Sequence, residues 1–386
     1  MARHSTDRIK RVLHGLLGMP ATDGNAVTVL KNGVEIFPAM LSEIGRATDT
    51  VDFCCYVFSE SAVGEKLVRA LKERAEAGVR VRLLLDPFGS RELKRSWVRE
   101  LRSAGADVAW FRLPSDWRVW EQNNRNHRRV VLCDERVALT GGYGIADRWD
   151  GDARSPAEWR DLAVRVEGPA VDGFRAAFAN NWAATGRPPF DRRDRFPDPE
   201  EVGDVTALAW QGAGGPGWND SAIVLTTLLA LAEKRIRLTT PYFAPRDDDI
   251  DRLCEAADRG VEVQLLLPGP NADQRVLQLA AQAHFARLLD AGIQVWIYLP
   301  TMIHQKSITI DGEITLVGTP NFDPRSLQLN DENGVVVFDA EVTERVDGYT
   351  DHDLTNSELI DAERWEKRGV GQRVGELAVD LIDSQL

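Results

Sequence analysis

The hydrophobic positions of this chain follow two periods, and the pair of periods occurs twice. Val51 to Phe58 reads Val-Asp-Phe-Cys-Cys-Tyr-Val-Phe, a short and nearly unbroken apolar run that predicts a buried strand. From Ser61 to Ala77 the residues Val63, Leu67, Ala70 and Leu71 return at helical spacing, and Gly78 predicts the stop. Val79 to Asp86 then reads as a second buried strand. The later half repeats the order. Ile236–Tyr242 predicts a strand, Asp249–Arg259 a helix with Ile250, Leu253, Cys254 and Ala257 on one face, Gly260 its stop, and Val261–Pro268 the matching strand. Leu101-Arg102-Ser103-Ala104-Gly105 is answered by Leu288-Leu289-Asp290-Ala291-Gly292. Strand–helix–strand units at this spacing predict an α/β fold with mixed, partly parallel sheets flanked by helices.

Self-similarity on this scale marks an internal duplication. The Pro-, Asp- and Arg-rich stretch Thr185–Asp204 is the expected boundary, and the Gly-rich Gln211–Trp218 the expected loop at the start of the second half. This divides the chain into an N-terminal segment 1–24, a first domain 25–200 and a second domain 201–386 that closes on an amphipathic helix within Asn356–Leu386. The first half carries an insertion, Ser115 to Asn126, with Trp117, Trp120, Gln122, Asn123 and Asn124, just after Trp110 and Phe111. Its aromatics either rim a pocket that meets lipid tails or pack at the domain edge. Asp247-Asp248-Asp249 reads as a helix N-terminus, where carboxylates offset the dipole.

Composition narrows the class. A chain of 386 residues, 43% hydrophobic and 28% charged, is globular and long enough for two cores. The net charge of −13 argues against a dedicated nucleic-acid binder, because phosphate neutralisation drives that binding. The cysteines, Cys54, Cys55, Cys133 and Cys254, form no Cys-x-x-Cys pair and read as small buried residues in a reducing compartment. The N-terminal segment is basic (Arg3, Arg8, Lys10, Arg11) with a helical apolar stripe at Ile9, Val12, Leu13, Leu16 and Leu17. Its apolar run is too short to span a bilayer. It suits a membrane surface, a place against the first domain, or a frayed end.

The chemistry lies in a repeated pattern. His127-Arg128-Arg129-Val130-Val131-Leu132-Cys133-Asp134 and His304-Gln305-Lys306-Ser307-Ile308-Thr309-Ile310-Asp311 both read His-x-cation-x-x-x-x-Asp. On extended backbone a His and a cation two apart share a face. Two such copies brought together give two imidazoles and two cations around one space, a set that suits a phosphate ester. One imidazole can attack phosphorus while the other protonates the leaving oxygen. Arg129 and Lys306 can neutralise the non-bridging oxygens. Each imidazole needs an acceptor to fix its tautomer, for which Asp161 and Glu332 are the downstream candidates. The His/Asp spacing fits no common metal-ligand pattern, and flanking cations would repel a divalent ion, so neither metal nor other cofactor is expected.

The paired motifs resemble those of the phospholipase D superfamily, and in detail bacterial cardiolipin synthases. The resemblance runs from about residue 25 to near the end. It is carried by Pro241-Tyr242-Phe243-Ala244-Pro245, Gly318-Thr319-Pro320-Asn321-Phe322-Asp323-Pro324-Arg325-Ser326 and Asn330-Asp331-Glu332 in the second half. In the first half it is carried by Leu30-Lys31-Asn32-Gly33, Thr140-Gly141-Gly142-Tyr143-Gly144-Ile145-Ala146-Asp147, Trp159-Arg160-Asp161 and Val166-Glu167-Gly168-Pro169-Ala170. It implies two pseudo-symmetric phospholipase D-like domains with the active site at their interface. It implies His127 as nucleophile and His304 as general acid and then base. Lys306, Asn321 and Arg129 would bind the phosphoryl oxygens. Glu332 would orient His127, and Asp161 would orient His304. Asp134 and Asp311 would be structural, closing hydrogen bonds near the site. Two departures stand in the first half: Arg129 where the family usually has Lys, and Gly144 where many members have an Asn matching Asn321.

The implied activity is phosphatidyl transfer through a covalent phosphohistidine to an alcohol of a second phospholipid or glycerol. The substrate would be phosphatidylglycerol or a similar lipid. The protein would work as a monomer, its duplication supplying both half-sites, in the cytoplasm and peripherally on the inner membrane. Two alternatives remain open on sequence grounds: hydrolysis of a phospholipid (or, against the charge, nucleic acid), and a non-catalytic phospholipid-binding module, which the two departures motivate.

Overall fold

The apolar runs become strands buried on both faces. A computed structural model describes residues 2–112, 123–214 and 219–366. Its strands are β1 (Thr22–Lys31), β2 (Thr50–Cys55), β3 (Arg80–Leu85), β4 (Asp107–Trp110), β5 (Val130–Cys133), β6 (Val137–Gly141), β7 (Leu162–Glu167) and β8 (Val205–Gly212). There follow β9 (Arg235–Thr239), β10 (Glu262–Pro268), β11 (Gln294–Tyr298), β12 (Ser307–Ile310), β13 (Ile314–Gly318), β14 (Glu332–Phe338) and β15 (Ser357–Leu359). The strands predicted at 51–58, 79–86, 236–242 and 261–268 correspond to β2, β3, β9 and β10. The intervening helices are Ala62–Glu76, where Ser61 caps by accepting from the Gly64 N–H at 3.1 Å, and Asp247–Asp258, whose first turn is the acidic triplet. Gly78 and Gly260 follow these helices at φ +89° and +87°, a left-handed conformation open to glycine.

These strands form one sheet in the order β15-β11-β10-β9-β12-β13-β14-β8-β1-β7-β6-β5-β2-β3-β4. β2–β3–β4 and β9–β10–β11 are parallel, as strand–helix–strand units require, and the strands between them are antiparallel. At the middle, β8 pairs antiparallel with β1. Corresponding strands of the two repeats thus meet, and the sheet runs unbroken through both halves.

Period-2 alternation divides each strand between two cores. Val51, Phe53 and Cys55 enter a first-half core with Leu67, Leu71, Phe37 and Met40 from the helices Ala62–Glu76 and Asn32–Arg46. Cys54, between them, points to the opposite face, with Val130, Phe174, Trp182, Val335 and Val346. That core is shared by both halves, so the expectation of one core per half is incomplete. A further core lies within the second half. Cys54, Cys55 and Cys133 are buried and unpaired, and burial pushes the Cys54 thiol up to about 12.

The N-terminal helix Ala2–Leu17 lies on neither the first half nor a free surface. Ile9 and Leu13 are fully buried in the second-half core beside Leu225 and Leu228 of the helix Asp220–Leu231, and Thr6 Oγ1 donates to Glu313 at 2.7 Å. Its apolar stripe is therefore occupied by protein. The C-terminal reading also changes: 356–366 holds the edge strand β15 and the short helix Ala362–Glu366, and 367–386 lie outside the described residues. Trp117, Trp120 and Gln122 of the insertion lie outside them as well. Among the described residues, no helix is long and apolar enough to cross a membrane.

Candidate active site

Each histidine stands just before a strand and is held by backbone from the opposite half. His127 N–H donates to the Asp331 carbonyl at 2.9 Å, next to Glu332; His304 N–H donates to the Arg160 carbonyl at 2.7 Å, next to Asp161. Asn126 bridges Asp331 and Ile303 bridges Arg160 as matching isolated parallel bridges. The carboxylates follow crosswise. His127 Nδ1 lies 2.8 and 2.9 Å from the two Glu332 oxygens, and His304 Nδ1 lies 3.0 Å from Asp161 Oδ2. A carboxylate on Nδ1 fixes the tautomer with its proton there and leaves Nε2 as the acceptor nitrogen.

The cations clasp their own histidines. Arg129 Nη1 donates to the His127 carbonyl at 3.0 Å and Nη2 lies 2.8 Å from His127 Nε2. Lys306 Nζ donates to the His304 carbonyl at 2.7 Å and lies 2.9 and 3.2 Å from its ring nitrogens. The Arg departure therefore keeps the contacts to the carbonyl and Nε2, while Lys306 alone also lies against Nδ1. All of these residues are buried. Burial, then Arg129, brings His127 down to about 4; burial, then Lys306, brings His304 down to about 3. Each histidine also feels the other half's cation, so both half-sites face one space. Burial pushes Lys306 well below the ordinary lysine range. Burial would raise Glu332 and Asp161, but their histidine partners hold both below the usual carboxylate values. Both rings are neutral at neutral pH, and each Nε2 lone pair, engaged here by Arg129 or Lys306, becomes a base or nucleophile once a bound anion draws the cation away.

Asn321 is buried, its Oδ1 has no partner, and it lines a small cavity of about 30 Å³ with Lys306 and Thr240. Asp323 lies beside it, raised to about 6 by burial. At the equivalent Gly144, a Cβ would sit 2.8 Å from the Trp149 ring and 3.0 Å from Val57. The volume that an Asn side chain would need is filled by Trp149, whose indole N–H donates to Asp161 at 2.8 Å. Asp134 and Asp311 lie at the opposite ends of β5 and β12 from the histidines, not near the site. Asp134 accepts from the N–H groups of Thr48, Asp49 and Thr50, and Asp311 from those of Glu233, Lys234 and Arg235. Each pins the loop leading into the neighbouring strand.

Several contributors carry no clear sequence signal. Thr319 donates to Glu332 and Trp149 to Asp161, so each carboxylate has a second donor. Tyr56 packs edge-on against His127, centroids 5.1 Å apart, and Trp159 and Trp149 flank His304 at 5.0 and 5.1 Å. Arg128 is fully buried and donates to the carbonyls of Glu332, Ala177 and Gly212 at 3.2, 2.5 and 2.8 Å, tying the half-sites together. Its place beside His127 in the motif was the only hint.

Two like half-sites, crossed through a single interface, define a duplicated phospholipase D-like catalytic fold. The family model described as "Cardiolipin synthase, PLD-like domain" matches residues 40–182 and 225–354. Cardiolipin synthase 1 of Bacillus anthracis is 31% identical over 96% of this chain and 74% of its own length; cardiolipin synthase A of Yersinia pestis is 32% identical over 93% and 75%. Among solved structures, phosphatidylserine synthase of Haemophilus influenzae Rd KW20 superposes with a TM-score of 0.72 at 14% identity, covering 98% of this chain and 97% of that one. Polyphosphate kinase of Porphyromonas gingivalis gives 0.59 at 14% identity, covering 93% and 53%. The chain belongs to the cardiolipin synthase family of phospholipase D-like phosphatidyltransferases.

Proposed function

We propose that the protein transfers a phosphatidyl group from phosphatidylglycerol, or a close analogue, to a primary hydroxyl of a second phospholipid, by way of a phosphohistidine. The observation that carries this reading is the crosswise arrangement His127–Glu332 and His304–Asp161, with Arg129 and Lys306 at the ring nitrogens. His127 Nε2 attacks phosphorus, and the bond to the departing glycerol oxygen breaks. His304 gives that oxygen its proton. The acceptor hydroxyl then loses its proton to His304 and attacks phosphorus, and His127 leaves. Arg129, Lys306 and Asn321 hold the non-bridging oxygens. A bound phosphodiester brings negative charge that offsets the cations, so His304 regains the basicity needed to carry a proton.

The same reading makes 25–200 and 201–386 the two catalytic halves of a monomer that works peripherally on the inner membrane, with 1–24 an added segment. Arg129 supports catalysis over a binding-only role, since, like Lys306 on His304, it bonds its own histidine's carbonyl and stands within hydrogen-bond distance of Nε2. The test is lipid mass spectrometry after incubating the full chain with phosphatidylglycerol vesicles. Cardiolipin is expected from the wild type and none from His127→Ala. Phosphatidic acid as the sole product would replace transfer by hydrolysis; wild-type levels of product from His127→Ala would overturn the mechanism.

A further inference from the structure

Arg125 stands two residues before His127 on extended backbone, so Arg125, His127 and Arg129 present their side chains to one side. Its backbone is fixed from the other half: Asp331 N–H donates to its carbonyl at 2.9 Å, and its own N–H reaches Asn330 Oδ1 at 3.4 Å. Its guanidinium lies over the Phe88 ring, 4.3 Å from the centroid. The residue is only 6% exposed, yet neither Nη1 nor Nη2 has a hydrogen-bond partner. The nearest acid, Asp86, makes no ion pair with it. The Asp86 oxygens instead accept from the N–H groups of Phe88, Gly89 and Asn126 at 2.8, 3.2 and 3.2 Å. A buried guanidinium with two unfilled donors is costly unless something anionic completes it.

More positive charge converges on the same place. Arg325 comes from the second half and donates to Asn123 Oδ1 and its carbonyl at 3.2 and 2.9 Å. Burial, together with Arg112 and Arg325, holds Arg125 below its ordinary value despite Asp86 and Tyr56. Tyr56, edge-on to His127, feels Arg129, Arg325 and Arg125 alike, so the cluster borders the histidine. The duplication shows that Arg125 is one-sided. The counterpart of Arg125, two residues before His304, is Met302, which is fully buried in apolar packing. Arg325 does have a counterpart, Arg148, which lies over Trp149 and Trp159 beside His304, so the asymmetry rests on Arg125, a buried cation with open donors beside one histidine only.

We propose that Arg125, assisted by Arg325, holds a second phosphate: the phosphodiester of the acceptor phospholipid, whose headgroup hydroxyl attacks the phosphoryl group on His127. The inference rests on the phosphatidyl-transfer reading and names its acceptor subsite. A planar fork binds phosphate through two parallel bonds, and anchoring the acceptor raises the effective concentration of its hydroxyl. Glycerol and water carry no phosphate and draw nothing from this subsite.

The test compares acceptors on one donor. Full-length protein is given phosphatidylglycerol vesicles with isotopically labelled glycerol, and cardiolipin is measured beside label exchanged into phosphatidylglycerol. Arg125→Gln is expected to lower the ratio of cardiolipin to exchanged label by about tenfold to a hundredfold, the worth of a charge-assisted hydrogen bond or two. Arg125→Lys should recover part of it. Inorganic phosphate should suppress cardiolipin more than exchange in the wild type and lose that preference in Arg125→Gln. An unchanged ratio in Arg125→Gln, with both products intact or both lowered together, overturns the subsite. Phosphate that suppresses cardiolipin and exchange equally in the wild type overturns it too, because it marks an anion site that both reactions share. If Arg125→Gln fails to fold, as a thermal melt would show, Arg325→Gln must shift the same ratio or the proposal falls. A wild type that makes neither product refutes the underlying transfer reading instead, and is told apart by failing before any substitution is made.

Discussion

At the scale of single residues, the two motif copies differ in composition and agree in contact. Arg129 and Lys306 each bond their own histidine's carbonyl and lie within hydrogen-bond distance of its ring. We therefore expect Arg129→Lys to keep transfer rates within about threefold of wild type and Arg129→Ala to lose a hundredfold or more, since charge stabilisation at the phosphoryl oxygens disappears. Steady-state cardiolipin formation measures both; equal loss in the two variants would show that the fork itself is required. His127 and His304 stood out through the paired motif, because a His, a cation and an Asp at one spacing occurring twice is a legible pattern; the roles ascribed to them, to Asp161 and to Glu332 came from the family resemblance. Trp149 filling the space at Gly144 was not legible. An indole seated by tertiary packing leaves no periodic mark in the chain.

At the scale of elements, the repeated last position of each motif turns out to serve loops. Asp134 and Asp311 each collect backbone N–H groups from the residues that lead into β2 and β9. We expect Asp134→Ala to destabilise the protein by about 1–2 kcal/mol, read as a lower melting temperature, while the turnover of the folded enzyme stays near wild type. A large fall in kcat at unchanged stability would return the residue to the chemistry. Strands and helices of the βαβ units were readable because β2, β3 and β10 are apolar runs and their helices have one apolar face and a glycine stop. The N-terminal helix was readable as amphipathic, but not its partner. A stripe of Ile9 and Leu13 suits a lipid surface and a protein groove equally, and only the groove beside Leu225 and Leu228 decides between them.

At the scale of the whole molecule, burying the site ties stability to pH. The folded-state values of His127 and His304, about 4 and about 3, lie below the unfolded value of 6.5. The unfolded chain then takes up more protons as the pH falls, so stability present above pH 6.5 is lost on the way down. Each histidine should contribute about 1.5 kcal/mol of loss between pH 6.5 and 5, above the range where ordinary carboxylates titrate. Denaturant midpoints should fall across that window in the wild type and fall much less in a His127→Ala/His304→Ala double variant; identical slopes would refute the assignment. By itself, the sequence indicated the α/β class and the duplication, which rest on local periodicity, and marked His127 and His304 with their cations as site candidates through a motif that repeats. The tertiary structure alone decided that one sheet runs through both halves, where β1 meets β8, and that the two halves share a core on one of its faces. It also decided the place of the first helix and left Arg125 as a buried cation with open donors beside one histidine and not the other. Strand order and residual charge depend on which distant segments come together, and no local pattern encodes that.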